Sequence, residues 1–392
     1  MSEDRIYMDN AAATRCDPEV VRAMMPYFTD IYAVASSEFS HTPGIQAKEA
    51  LEAARQFVAD RLKAAPEEII FTSGGTEANN LAVKGGVWTG RKEKDHIVCS
   101  RIEYNSVLQS CQWLEKEGFR VTWLDVNDEG FVDMDQLRDS LTEKTALVSI
   151  QHANQETGTV QPVQEIASLC HDQGILFHTD AALSFTHLDL GTDDTPVDLI
   201  TLSSHKIHGP KGIGALYVRK GTRLHKWIHG GYHEFNLRGG TENVAGAVGF
   251  GEAVRMAGSS HTGHIRMLQK KLLKSLENDI DDVVINGPRD LSRRLPSNVN
   301  VSFDLVEGES VVLHLDMRGI SVITGSACFS RSLEPSYVMM AMGYSHERAH
   351  GSIRFTLSRF NTADEVDRVV RACGEVVDSL RKISPLKKGV KT

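Results

Sequence analysis

From about residue 16 to residue 260, short apolar runs alternate with amphipathic stretches, and few folds accept that alternation. Ile69–Thr72, His96–Cys99, Val121–Leu124, Ala146–Ile150, Ile175–His178, Leu199–Leu202 and Ala215–Val218 read as strands. Between several of them lie helical patterns. Ala47, Ala50, Leu51, Ala54, Phe57, Val58 and Leu62 mark one buried face over 44–63, and Ser106–Glu117 and Pro162–Gln173 repeat the spacing. A strand without polar alternation is buried on both faces, and intervening helices supply the crossovers of a parallel sheet. The expectation is an α/β fold with a mostly parallel seven-stranded sheet in a large domain, residues 16–260.

The last third has a different rhythm. Residues 263–279 form a Lys- and Leu-rich helical pattern, Pro296–Phe303 alternates as a strand, and Ser310–Asp316 reads as a helix. Arg354–Leu357 reads as a strand and Ala363–Leu380 as a closing helix. These predict a smaller α+β domain, made of 1–15 and 261–392.

Composition narrows the functional classes. Hydrophobic residues make up 41% of the 392 residues, enough for a sizeable core and too many for a disordered chain. With 43 Lys+Arg against 52 Asp+Glu the net charge is −9, so direct nucleic-acid binding is not expected. No apolar run reaches the roughly 18 residues of a membrane span, so no membrane association is expected. The polar start Met1-Ser2-Glu3-Asp4-Arg5 is unlike a signal peptide. Cys16, Cys99, Cys111, Cys170, Cys328 and Cys373 contain no CxxC pair, which suits a reducing, cytoplasmic location. His205/His208 and His229/His233 lack a completing Cys or carboxylate set, so no metal site is expected.

Five segments could carry chemistry. Ser73-Gly74-Gly75-Thr76-Glu77 follows a strand and opens a helix; it is an ordinary turn or a phosphate cradle of backbone N–H groups and the Thr hydroxyl. His178-Thr179-Asp180-Ala181-Ala182 closes a strand, where Asp180 caps a helix or pairs with a cationic ring nitrogen. Ser203-Ser204-His205-Lys206 and the following Gly209-Pro210-Lys211-Gly212 place a lysine at a strand end, as a surface charge or as an amine able to form a Schiff base. Thr324-Gly325-Ser326-Ala327-Cys328-Phe329-Ser330 sets a cysteine among small residues, which suits an accessible loop thiol as well as a core residue. Arg354 stands between apolar neighbours and requires a partner, either a structural ion pair or a bound carboxylate.

In this order, with Arg238-Gly239-Gly240-Thr241-Glu242-Asn243 between the lysine and the cysteine segments, the set resembles a cysteine desulfurase. The likeness is to the nitrogen-fixation and iron–sulfur-assembly branch of the class V aminotransferase-like, pyridoxal-phosphate (PLP) enzymes. It runs from Tyr7-Met8-Asp9-Asn10-Ala11-Ala12 to the closing helix. The resemblance implies PLP fold-type I and a homodimer with sites at the interface. It assigns Lys206 to the Schiff base and Asp180 to the ring nitrogen. It assigns Gly75, Thr76, Ser203 and His205 to the phosphate cup, and Thr241 to a phosphate ligand lent by the partner subunit. Arg354 matches the clamp on the substrate carboxylate. Cys328 matches the nucleophile that takes sulfur from L-cysteine, leaving alanine and a persulfide for a sulfur-acceptor protein. The stretch Gly325 to Pro335 resembles the longer loop of the branch that serves scaffold proteins.

Departures from the family pattern are expected to cluster around the cofactor. Tyr104 stands where the family has a ring-stacking, proton-shuttling His, and a phenol with a pKa near 10 is a poor base at neutral pH. Gln155 replaces an Asn, and Leu183 replaces a Gln, at the contacts to the PLP phenolic oxygen. Ala33-Val34-Ala35-Ser36 replaces Phe-Gly-Asn-Pro, and Tyr232 replaces a Gly. The leading expectation is a cysteine desulfurase in which Tyr104, Tyr232 or the substrate handles part of the proton transfer. The alternatives are a PLP-dependent lyase or transaminase-like enzyme acting on another amino acid, and a paralogue that has become a binding module.

Overall fold

The computed structural model describes residues 5–325 and 335–384. Cys328 lies outside the described residues. The apolar runs form the strands β1 (Ile69–Thr72), β2 (His96–Ser100), β3 (Arg120–Leu124), β4 (Thr145–Ser149), β5 (Leu176–Asp180), β6 (Leu199–Ser203) and β7 (Gly214–Val218). They make one seven-stranded sheet in the order β1-β7-β6-β5-β4-β2-β3. All pairs from β6 to β3 are parallel, and β7 is antiparallel to both neighbours. The reason lies in the connection. Only residues 204–213 join β6 to β7, too few for the helical crossover that a parallel neighbour needs. Every other strand therefore points the same way.

Helices cover both faces. On one face α1 (Thr42–Leu62) buries Ala47, Leu51, Ala54 and Val58, and shares a core with Phe71, Val148 and Phe177. On the other, α2 (Gly75–Asn80) and α3 (Asn105–Lys116) pack Ala78, Val107 and Leu114 against Ile70, Ile97 and Leu216. After α2 the chain widens into a π-helical turn over Leu81–Gly85, which the sequence pattern does not announce. The first core is completed by α4 (Val163–Asp172) and α5 (Val244–Met256).

A second core gathers Ile6 and Met8 with α6 (Ser259–Asp279), α7 (Gly308–Met317) and α8 (Ala363–Ile383). These helices pack on a three-stranded antiparallel sheet of β8 (Val283–Ile285), β9 (Asn298–Phe303) and β10 (Ser352–Thr356), with β9 in the middle. Met8 and Asp9 join this layer beside β10, so the start of the chain packs with its last third. Among the described residues no helix is long and apolar enough to cross a membrane.

Candidate active site

Because six strands run one way, the carboxyl ends of β1, β5 and β6 open on the same edge, the place where open α/β sheets leave room for a ligand. Thr72 ends β1 and leads through Ser73-Gly74 into α2. Asp180 ends β5. Ser203 ends β6, and the turn after it carries His205 and Lys206. These ends enclose a cavity of about 380 Å³. Gly75, Thr76, Ser203, His205, Lys206, Asp180, Tyr104, Gln155 and Leu183 are all among the residues that line it.

The lysine is held by the chain's first residues. Lys206 Nζ donates to the carbonyls of Ala11 and Ala12, the latter at 2.9 Å, and lies 5.9 Å from the centre of the Tyr104 ring. The same segment is pinned again by Thr14 N–H on the His205 carbonyl at 2.9 Å and by His208 N–H on Thr14 Oγ1 at 2.8 Å. Asp180 Oδ2 accepts from Asn79 Nδ2 at 2.7 Å, and Oδ1 accepts from Ala182 N–H at 2.9 Å. Burial still pushes its carboxyl up, against the pull of Asn79, Ala182 and the Lys206 charge. A carboxylate in that position gains from a further cationic partner. Two residues before it, His178 is a neutral strut. Its Nδ1 pairs with Ser149 Oγ at 2.8 Å and its Nε2 with Thr201 Oγ1 at 3.0 Å, and burial holds its pKa down at about 3.

The cavity lining also offers unused polar atoms. Ser203 Oγ and His205 Nδ1 are buried without a hydrogen-bond partner. Burial, then the charges of Lys206 and Lys211, lower His205 to about 4, so the ring is neutral near pH 7. Glu77 faces the same turn, where it accepts from Ser73 N–H at 2.8 Å and from Arg238 Nε at 3.0 Å. Burial pushes its carboxyl up, but the Arg238 and Ser73 contacts outweigh burial and leave it below the usual range. An amine, a buried carboxylate and an anion-sized set of open donors thus share one cavity. Arg354 and Thr241 are not part of this lining. Arg354 is buried on β10 just behind it, donating from Nη1 to the Gln155 carbonyl at 3.1 Å and from Nη2 to Asp9 Oδ1 at 2.8 Å, with Nε unpartnered. Thr241 is exposed.

The family model for aminotransferase class V matches residues 6–369 of this chain. The cysteine desulfurase IscS of Clostridium botulinum (strain Hall) is 43% identical over 385 residues, covering 97% of this chain and 96% of the relative. The chain belongs to the cysteine desulfurases of the class V aminotransferase family. Solved structures agree. A NifS-like protein superposes with a TM-score of 0.89 at 35% identity, covering 96% of this chain and 100% of that one. SspA in complex with cysteine superposes with a TM-score of 0.81 at 36% identity, covering 91% and 100%. The α/β fold with its mostly parallel sheet is thus the fold of these cysteine desulfurases, whose family is generally PLP-dependent.

Set against the family pattern, only three of the five departures reach the cavity: Tyr104, Gln155 and Leu183. Ala35 is buried in a 3-10 turn, and Tyr232 is 81% exposed on a surface loop, so neither lines this chain's cavity. Within a single chain, then, Tyr104, Gln155 and Leu183 are the departures that line the cavity. The amide of Gln155 is turned aside, donating from Nε2 to Tyr337 OH at 2.9 Å. Leu183 offers no donor at all. Sequence reasoning also missed residues. Asn79, which steadies Asp180, comes from another strand–helix unit, so nothing local in the sequence pairs them. Asp9 had a visible signal, a carboxylate following the apolar pair Tyr7-Met8, but its partner Arg354 is at the far end of the chain.

Proposed function

We propose that this chain is a PLP-dependent cysteine desulfurase that converts L-cysteine to L-alanine and leaves a persulfide on Cys328 for a sulfur-accepting protein. The observation that carries the reading is the convergence of the Lys206 amine, the Asp180 carboxylate and the unpartnered Ser203 Oγ and His205 Nδ1 on one cavity. Their chemistry fits PLP: unpartnered polar atoms for a phosphate, a buried carboxylate for a cationic ring nitrogen, and a primary amine for an aldehyde. In this reading Gly75, Thr76, Ser203 and His205 hold the phosphate, and Thr241 of a second copy in a homodimer completes the cup. The unit 16–260 supplies the residues that hold the cofactor, and 1–15 with 261–392 supplies Ala12 and Ala13 of the lining, Arg354 and the cysteine segment. When bound, PLP supplies an electron-withdrawing ring that stabilises negative charge on the substrate.

The remaining work falls to the chain itself. Arg354 orients the substrate carboxylate. Its unpartnered Nε supports that role, and Asp9 and the Gln155 carbonyl fix the guanidinium in place. Asp180 keeps a proton on the ring nitrogen, and Lys206 carries a proton to and from the substrate. Tyr104, with its ring beside Lys206, takes over the stacking and part of the proton handling that a His performs elsewhere in the family. The Cys328 thiol forms the S–S bond while the substrate's C–S bond breaks and the carbon takes a proton, so L-cysteine and thiol become L-alanine and persulfide. The relative solved with cysteine supports the choice of substrate.

The test is to incubate the loaded protein with L-cysteine and to measure alanine and persulfide together. Equal amounts of both are expected, lost in Cys328→Ala and in Lys206→Ala. Alanine-free release of pyruvate, ammonia and sulfide, or persulfide that survives Cys328→Ala, would overturn the reading.

A further inference from the structure

Glu156 takes no part in lining the cavity, yet it sits where the chain leaves for Cys328 and where it returns. Its side chain is buried, the residue being 3% exposed. Oε2 accepts a hydrogen bond from Ser336 Oγ. The same oxygen lies so close to Gly325 that a Cβ there would approach it to 2.3 Å. Gly325 precedes the segment containing Cys328 and Ser336 follows it. One carboxylate therefore touches both ends of that stretch.

The residues around it make the arrangement rigid. The N–H groups of Glu156 and Thr157 both donate to Asn154 Oδ1, at 2.8 and 2.9 Å. The Glu156 carbonyl accepts from Asn298 Nδ2 at 2.8 Å and Asn300 Nδ2 at 3.1 Å, both on β9. The neighbouring pair repeats the link: Gln155 Nε2 donates to Tyr337 OH, and that hydroxyl donates to the Glu103 carbonyl at 2.6 Å. On the outgoing side, Ile323 pairs with the backbone of Arg354, whose N–H donates to the Ile323 carbonyl at 2.8 Å. Arg354 in turn holds the Gln155 carbonyl. Both ends of the segment and the guanidinium proposed for the substrate carboxylate thus meet at Gln155-Glu156.

We infer that Glu156 is a positioning residue for the Cys328 thiol, tying the two chain ends between which Cys328 lies to the wall that holds Arg354. The inference rests on the desulfurase reading above. Glu156 acts through Ser336 and the Gly325 backbone and not on the substrate. Burial raises its carboxyl to about 7, with the Ser336 hydroxyl and the Arg354 charge acting the other way.

The test compares Glu156→Gln, Ser336→Ala, the double variant and wild type, all loaded with PLP. In Glu156→Gln the L-cysteine concentration giving half of the absorbance change of the bound cofactor stays within about twofold of wild type, while alanine formation falls about tenfold or more. Ser336→Ala changes in the same direction by about threefold, and the double variant is no worse than Glu156→Gln alone, because the two act through one contact. The alkylation rate of Cys328 by iodoacetamide, read by peptide mass mapping, shifts in both single variants. Wild-type alanine formation and wild-type alkylation in Glu156→Gln would overturn the inference, as would losses that simply add in the double variant. If Glu156→Gln does not fold, Ser336→Ala decides alone, and a wild-type rate there overturns it. If wild type itself makes no alanine, the desulfurase reading fails, and the alkylation comparison still decides the role of Glu156.

Discussion

His178 occupies the middle of the sheet, and both of its ring nitrogens are engaged by hydroxyls from the flanking strands β4 and β6. Its folded pKa of about 3 lies far below the ordinary value of 6.5. The folded protein therefore keeps the ring neutral, and the unfolded chain takes up a proton below pH 6.5. The stability linked to this group is complete above pH 6.5 and is lost as the pH falls toward 3. At pH 5.5 the loss is about 1.4 kcal/mol by the linkage relation. His178→Asn removes the titration. Its deficit in unfolding free energy against wild type, measured in urea at pH 7.5, is expected to shrink by about that amount at pH 5.5. An unchanged deficit would show that the ring is protonated in the folded state. His178 also marks how far single residues are legible. The apolar run reads as ending at His178, whereas the strand continues to Asp180 and His178 is its central residue; Asp180 and Lys206 were plain, because a polar residue after an apolar run stands out. Asn79 and Glu156 were not, because each acts through a partner distant in the chain, and a single sequence carries no sign of such pairs; Asp9 was visible, but not its pairing with Arg354.

At the scale of elements, the strands were the most legible feature. Residues buried on both faces leave no polar alternation, and β1, β2, β4, β6 and β7 are buried at every position. The helices were legible from period. α8 carries a capping box in which Thr362 Oγ1 accepts from Glu365 N–H and Glu365 Oε2 accepts from Thr362 N–H. What pattern cannot supply is how near two elements approach. The helices α1 and α5 pack with Gly251 against Ala54 so closely that a Cβ at 251 would lie 2.8 Å from Ala54 Cα. In α6, a Cβ at Gly263 would meet nothing within 4 Å. Helix propensity favours alanine over glycine by about 1 kcal/mol at both positions, whereas forcing a methyl into a filled contact costs about 1–3 kcal/mol. Gly263→Ala is expected to stabilise the protein by about 0.5–1 kcal/mol and Gly251→Ala to destabilise it by up to about 2 kcal/mol. Urea midpoints for the two variants check the opposite signs; equal shifts would mean that the α1–α5 contact yields without cost.

For the whole molecule, the question is why Thr241, which the family likeness assigns to the phosphate cup, is exposed and absent from its own chain's cavity. The surface nearby in sequence also exposes Tyr232, and an earlier stretch exposes Phe28, Tyr32 and Phe39. The homodimer proposed above accounts for both, with this surface facing a second copy. In a homodimer whose Thr241 serves the opposite cavity, each site needs Lys206 from one subunit and Thr241 from the other. Lys206→Ala and Thr241→Glu should each abolish turnover as homodimers, the second by setting a carboxylate against the phosphate. A heterodimer of the two, co-expressed with different tags and purified through both, behaves differently. The Lys206→Ala subunit still lends an intact Thr241 to the cavity that holds an intact Lys206. One site of two is then complete, and alanine formation of about half the wild-type rate per dimer is expected. If Thr241 served its own chain's cavity, neither site would be whole and the heterodimer would be as inactive as its parents. The rate of this heterodimer thus tells a shared site from a self-contained one.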